Sequence, residues 1–180
     1  MSHSKKLITI FSFIFLSSLS HIFATGAGVQ LSGNPGLFIN QDSIKPEQFT
    51  ARATGTIKSG RLPLAFGFGL EAGKNYSEFN YGISGFVDYH ALELQLKNTW
   101  NFYSGFGAEG SLLTHNFEGC TMNAGARFFA GMNWLFYDNY LELYFQQNLV
   151  PAYSKVLSDS KSQAAFIFGF PLEAGIRMHF

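Results

Sequence analysis

The stretch "LPLAFGFGLEA", residues 62–72, decides how this chain is read. Leu62, Leu64, Phe66, Phe68, Leu70 and Ala72 fall on one face of a two-residue period, and Pro63, Ala65, Gly67, Gly69 and Glu71 on the other. Such alternation marks a strand with one apolar face. The variants "GFGAEGS" at 105–111 and "GFPLEAG" at 169–175 repeat the order of small residues ending in an acid. Each glutamate is in phase with its glycines, which sets Glu71, Glu109 and Glu173 opposite the large apolar side chains.

The same period recurs outward from this stretch in both directions. Phe49, Ala51, Ala53 and Ile57 oppose Thr50, Arg52, Thr54, Thr56 and Lys58; Tyr81, Ile83, Val87 and Tyr89 oppose Ser84, Phe86, Asp88 and His90. Trp100, Phe102, Phe106 and Ala108 oppose Asn101, Tyr103, Gly105, Gly107 and Glu109, and Met122 to Met132 alternate with Asn123, Gly125, Arg127, Phe129 and Gly131. Leu141, Leu143 and Phe145 oppose Glu142, Tyr144, Gln146 and Asn148. Phe170 to Phe180 alternate with Gly169, Pro171, Glu173, Gly175, Arg177 and His179. With a short first strand at Val29 and Leu31, ending in the turn signal Gly33-Asn34-Pro35-Gly36, the count is eight strands.

Composition says which way the apolar face points. Only 13% of residues are charged, against roughly 25% in ordinary soluble domains, while 17% are aromatic, with 21 Phe and 19 Gly. Such a chain lacks the charge to cover a water-facing surface, yet beyond residue 24 it has no long uninterrupted apolar stretch of the kind that spans a bilayer as a helix. Only helices and closed barrels satisfy every backbone group in lipid. The expectation is an all-β fold, an eight-stranded antiparallel transmembrane β-barrel. A soluble barrel of the lipocalin type would show the same alternation with opposite facing, but its polar face would be a poor cover.

The first 24 residues carry Lys5 and Lys6, an apolar core from Leu7 to Leu16, and small and polar residues up to Ala24. They read as a secretory signal peptide, leaving residues 25–180 as the barrel domain. No cysteine directly follows the apolar core, as a lipid-anchored start would require, and an uncleaved anchor is the lesser alternative. Without the signal, 10 basic residues face 12 acidic ones, a balance that argues against nucleic acid as a partner. The single Cys120 cannot form an internal disulfide.

The joins follow an alternating pattern. Segments near 34–48, 74–79, 111–120 and 151–163 are expected outside the cell and the mostly shorter 59–61, 91–98 and 134–139 on the periplasmic side. Trp100, Trp134, Phe136 and Tyr137 then mark the periplasmic aromatic girdle.

The last eight residues, "EAGIRMHF", resemble the carboxy-terminal assembly signal of outer-membrane barrels: polar Glu173, Gly175, apolar Met178 and terminal aromatic Phe180. With the eight-strand pattern, the chain resembles the small bacterial outer-membrane barrels of the OmpA membrane-domain, OmpX and OmpW kind, and "YLELYFQ" at 140–146 resembles small barrels of spirochaetes. The resemblance implies location in the cell outer membrane, contact with its lipid, and engagement of the barrel-assembly machinery through the last strand.

An eight-stranded barrel is just wide enough to be filled by its own side chains. Inward acids in so narrow a space need cations within about 4–6 Å. Arg52, Glu71, Glu109, Arg127, Glu142, Glu173 and Arg177 are therefore expected to form a lumenal ion-pair network, leaving a structural or surface-binding role for the outer segments, with any host or surface ligand unnamed. The alternative is a conduction path or cation site, or a narrow OmpW-like pore for small or apolar solutes. The inward Phe86, Tyr103, Phe129 and Tyr144 speak for a filled interior.

Some small outer-membrane barrels modify lipid A, which calls for a nucleophile with a positioned base. Ser111, His115 and Glu118 in "SLLTHNFEGC" lack a compact His-x-Ser arrangement, and Ser84, Asp88 and His90 lie at the wrong membrane face. No enzyme is expected. His90, His115 and His179 sit on separate segments without metal-ligand spacing, and no phosphate loop GxxxxGK[ST] occurs, so neither metal nor cofactor is expected.

Overall fold

Alternation forces each strand to bury one face, and a sheet this strongly one-sided closes on itself. A computed structural model describes residues 24–40, 43–75, 78–115, 119–157 and 165–180. The expected signal segment lies outside these residues apart from Ala24. Strands β1 (Ala24–Asn40), β2 (Ser43–Ser59), β3 (Leu64–Asn75), β4 (Glu78–Lys97), β5 (Trp100–His115), β6 (Gly119–Phe136) and β7 (Leu141–Val156) pair in chain order, all antiparallel. The eighth wall strand is made of two collinear pieces, β8 (Ala165–Gly169) and β9 (Leu172–His179), which pair with β7 on one side and β1 on the other. The chain is thus a closed, all-β, eight-stranded antiparallel barrel.

Polarity is inverted relative to a water-soluble domain. Leu31, Phe68 and Leu70 on the outside are about two-thirds exposed, whereas Arg127 and Glu173 inside are 0% exposed. The lipocalin-type facing is therefore not the one adopted.

Several expected joins are wall instead. Gly33-Asn34-Pro35-Gly36 is not a turn: it lies within β1, which continues to Asn40, and β2 begins at Ser43. Most of 34–48, 74–79 and 111–120, and the first part of 151–163, are likewise strand. Over the described residues, the end remote from the termini is thus built of tall hairpins.

Segment 91–98 is also strand almost throughout. Its alternation was hidden by a bulge: His90 pairs with Gly105 and Leu92 with Ser104, so Ala91 is an extra residue. The slip turns Leu92, Leu94 and Leu96 outward. Glu93 is brought beside lumenal His90 and Lys58.

Pro171 is accommodated by an interruption without a register change. Gly169 pairs with Val150 and Gly36, and Leu172 pairs with Gln147 and Gly33, so two residues are skipped on every strand. The Asn148 amide still donates to the Pro171 carbonyl at 2.9 Å. The return bond needs an N–H that proline lacks. Gln147 Nε2 fills in, donating to the Asn148 carbonyl at 3.1 Å, and Asn34 Oδ1 accepts the Phe170 amide at 3.0 Å.

Two inward glycines make room for rings in the lumen. A Cβ at Gly67 would strike the ring of Phe86, and one at Gly175 the ring of Tyr144. At these two positions glycine clears space for aromatic rings.

Candidate functional site in the lumen

The functional candidates are the inward side chains, stacked in three levels. At the middle, β6 delivers Arg127, flanked along the strand by inward Gly125 and Phe129. Its Nε donates to Asp88 Oδ1 at 2.9 Å, Nη1 to Glu109 Oε2 at 2.7 Å, and Nη2 to Glu173 Oε2 at 2.9 Å and Asn148 Oδ1 at 3.1 Å. One guanidinium therefore ties together β4, β5, β7 and β9. Its carbon also lies 4.3 Å from the centre of the Phe86 ring, over the π face. Arg52 supports the cluster from β2, 3.4 Å from Glu109 Oε2 and 4.0 Å from Glu173 Oε1.

Toward the termini lies an aromatic level of Tyr103, Phe129 and Tyr144, all buried. The His90 ring stacks on Tyr103 with centroids 5.0 Å apart, and Tyr144 donates its hydroxyl to Gln30 Oε1 at 2.9 Å.

Below this level, at the end bearing the termini, Glu142 accepts from Arg177 Nη1 at 2.7 Å and from Asn133 Nδ2 at 2.7 Å, and lies 2.8 Å from His179 Nε2. Lys58 and His90 approach Glu93 at 2.9 and 3.3 Å. Lys58, Glu93, Asn133, Glu142 and His179 border a pocket of about 260 Å³ at that mouth.

The seven residues expected to share a network therefore divide. Arg52, Glu109, Arg127 and Glu173 meet at the middle, and Glu142 with Arg177 forms a separate cluster. Glu71 opposes Arg52 in register, but no cation lies within 4 Å of its carboxylate among the described residues. Sequence reasoning missed Asp88, Asn148, Gln146, Asn133 and His179 as members. Their inward phase was visible, and Asp88 had been weighed only as a partner of Ser84 and His90.

Those catalytic candidates do not assemble. The carboxylate of Asp88 is taken by Arg127, His90 faces Glu93, and Ser84 Oγ, 2% exposed overall, has no hydrogen-bond partner among the described residues. Ser111 Oγ accepts from Asn123 Nδ2 at 3.0 Å. Glu118 lies outside the described residues and His115 is described in its backbone alone. No group of three metal-ligating side chains occurs among the described residues, and Cys120 is a free thiol.

The four carboxy-terminal residues with an expected assembly role have places in the wall. Glu173 and Gly175 point inward, the first to Arg127 and the second beneath the Tyr144 ring. Met178 and Phe180 lie outside, where Tyr140 meets the Phe180 ring edge to face at 6.2 Å and donates to Met178 Sδ at 3.9 Å.

No protein-family model matches the chain, and no curated protein matches it. Among solved structures the chain is similar to the crystal structure of Neisserial surface protein A (NspA), with a TM-score of 0.52 and 15% sequence identity over 86% of this chain and 97% of that one. At that identity the likeness is one of fold: both chains wind the same kind of barrel.

Proposed function

We propose that the chain is a bacterial outer-membrane barrel with a filled lumen, acting as a wall element or through surfaces on its four hairpins remote from the termini. The observation that carries this reading is the pairing of an apolar exterior with a midsection closed by Arg127 and its carboxylates. On β6 the outward run from Ala124 to Trp134 covers ten steps, ~33 Å along the strand and ~25 Å in height at a tilt near 40°, the height of the apolar band of such barrels. Trp100 and Trp134, in contact with their rings tilted by 53° and centroids 3.5 Å apart, fall at its lower edge, where an aromatic girdle belongs. The similarity to a protein named for a surface agrees with this placement.

The partners in this reading are membrane lipid and, through Met178 and Phe180, the barrel-assembly machinery. Phe180 is 77% exposed, as a handle for another protein must be. We assign no catalytic role. A second reading, passage of small or apolar solutes, draws on one feature: a concavity of about 740 Å³ in the outer wall, floored by Ala51, Ala53 and Ala72 between Leu31, Leu70 and Ile83.

Single-channel recording in planar bilayers tests the choice. The folded chain is expected to be silent. Discrete conductance steps that grow in Arg127→Ala would refute the filled lumen and favour transport.

A further inference from the structure

The wall facing lipid is not evenly built. Toward the hairpin end of β2 and β3 the outward positions carry Ala51, Ala53 and Ala72, whereas further down β3 they carry Phe66, Phe68 and Leu70. Ala51 pairs with Ala72, and Gly33 of β1 pairs with Ala51, so three small residues adjoin across three strands. Leu31, Leu70 and Ile83 stand beside them, and the wall is hollowed there into the concavity of about 740 Å³. That volume falls within the ~300–1,000 Å³ of sites that hold a small molecule. Arg52 and Glu71 also border it, but both are buried side chains that turn into the lumen, so the surface offered outward is apolar.

The hairpin end of the hollow is different. Lys74, two residues beyond Ala72 on the same face of β3, is exposed one residue short of the strand's end. Its partners in register are Phe49 on β2 and Phe79 on β4, both more than half exposed. Tyr81, opposite Ala72, borders the concavity beside them. Aromatic side chains so grouped mark the boundary between membrane and water. The Lys74 ammonium therefore stands at the level of lipid headgroups, with the hollow beneath it in hydrocarbon. Four residue steps, ~13 Å along the strand, separate Lys74 from Leu70 at the groove's side.

We propose that this hollow holds one acyl chain of a lipid whose anionic phosphate headgroup rests against Lys74. The inference rests on the outer-membrane reading and assigns the concavity to a resident lipid, not to a solute in transit. Charge complementarity decides the headgroup: lysine is a compact point charge, and one such residue near a membrane surface favours anionic lipid by about fivefold. Shape decides for lipid over protein. A second copy meeting this face about a two-fold axis would set hollow against hollow and Lys74 against Lys74, leaving the space unfilled and like charges together.

The test is native mass spectrometry of the full chain, folded in detergent micelles and titrated with phosphatidylglycerol or with phosphatidylcholine of the same acyl chains. One phosphatidylglycerol per chain is expected, held about fivefold more tightly than phosphatidylcholine. Lys74→Gln should abolish that preference, and Lys155→Gln, on the outer face of β7, should keep it. Ala51→Phe, which fills the floor, should release both lipids, and Ala53→Phe serves if it does not fold. Ala126→Phe, outward on β6, should bind as the wild-type chain does. No lipid held by the wild-type chain, equal retention of the two lipids, or unchanged binding in folded Ala51→Phe would each overturn the proposal, as would a lipid-free dimer that Ala51→Phe dissociates. A chain silent in planar bilayers that retains no lipid would leave the filled barrel standing and remove this inference alone.

Discussion

Replacing Arg127 by methionine keeps length and apolar volume while removing the charge at the centre of the lumen. Six hydrogen bonds go with it, to Asp88, Glu109, Glu173 and Asn148. Stranding one buried charge costs about 3–5 kcal/mol, and three carboxylates are touched. The three costs do not add, because Arg52 still faces Glu109 at 3.4 Å and Glu173 at 4.0 Å. Asp88 alone is left with no cation within ion-pair distance among the described residues. The expected loss is therefore about 4 kcal/mol, close to a thousandfold in the folding equilibrium. Urea unfolding in detergent micelles, followed by far-ultraviolet circular dichroism, reads it. Adding Asp88→Asn to Arg127→Met should recover about half, since removing both members of a buried pair is milder than removing one. A loss below ~1 kcal/mol for Arg127→Met, or no recovery in the double variant, would refute the assignment of the strain to a stranded Asp88.

Two further outcomes follow from the wall. Gln147→Leu should cost ~1–3 kcal/mol by leaving the Asn148 carbonyl unmet, and Pro171→Ala should rescue it by restoring the missing N–H; equal stabilities for Gln147→Leu with and without Pro171→Ala would refute the substitution of side chain for backbone. In lipid vesicles, Phe128→Arg at mid-belt should cost ~2–4 kcal/mol and Phe136→Arg near the rim ~0–1; equal costs measured by urea titration would contradict the placement of the apolar belt.

The closed barrel was legible because lipid outside and side chains inside impose one period on every strand. Stretch 62–72 carries that period without error, and so does 122–132. Strand length was less legible for two physical reasons. Proline and glycine, the ordinary marks of turns, sit inside β1 at Gly33, Pro35 and Gly36; Pro35 lies opposite Phe170, where the neighbouring strand is itself interrupted and asks for fewer backbone bonds. At Ala91 a single extra residue inverts the phase, so "ALELQLK" reads as polar and apolar on the wrong faces until the bulge is known.

In the lumen, phase told which charges point inward but not their height. That is why seven residues expected as one network divide around an aromatic level. Pairing across a barrel depends on the stagger between strands, and Arg127 reaches Asp88 on a strand two places away, a relation no local pattern carries.

The paired indoles of Trp100 and Trp134 are the only two tryptophans in the chain. All indole emission therefore comes from one spot, where β5 and β6 leave the barrel at the end bearing the termini. Held with centroids 3.5 Å apart, the rings form an optical reporter whose coupling is lost as soon as the two strands part. Dichroism of the amide groups averages over the whole wall, so the two signals recorded in one titration compare a point with the whole. Coincident transitions mean the barrel opens as a single cooperative unit; an indole transition that comes first marks that rim as the place where unravelling starts.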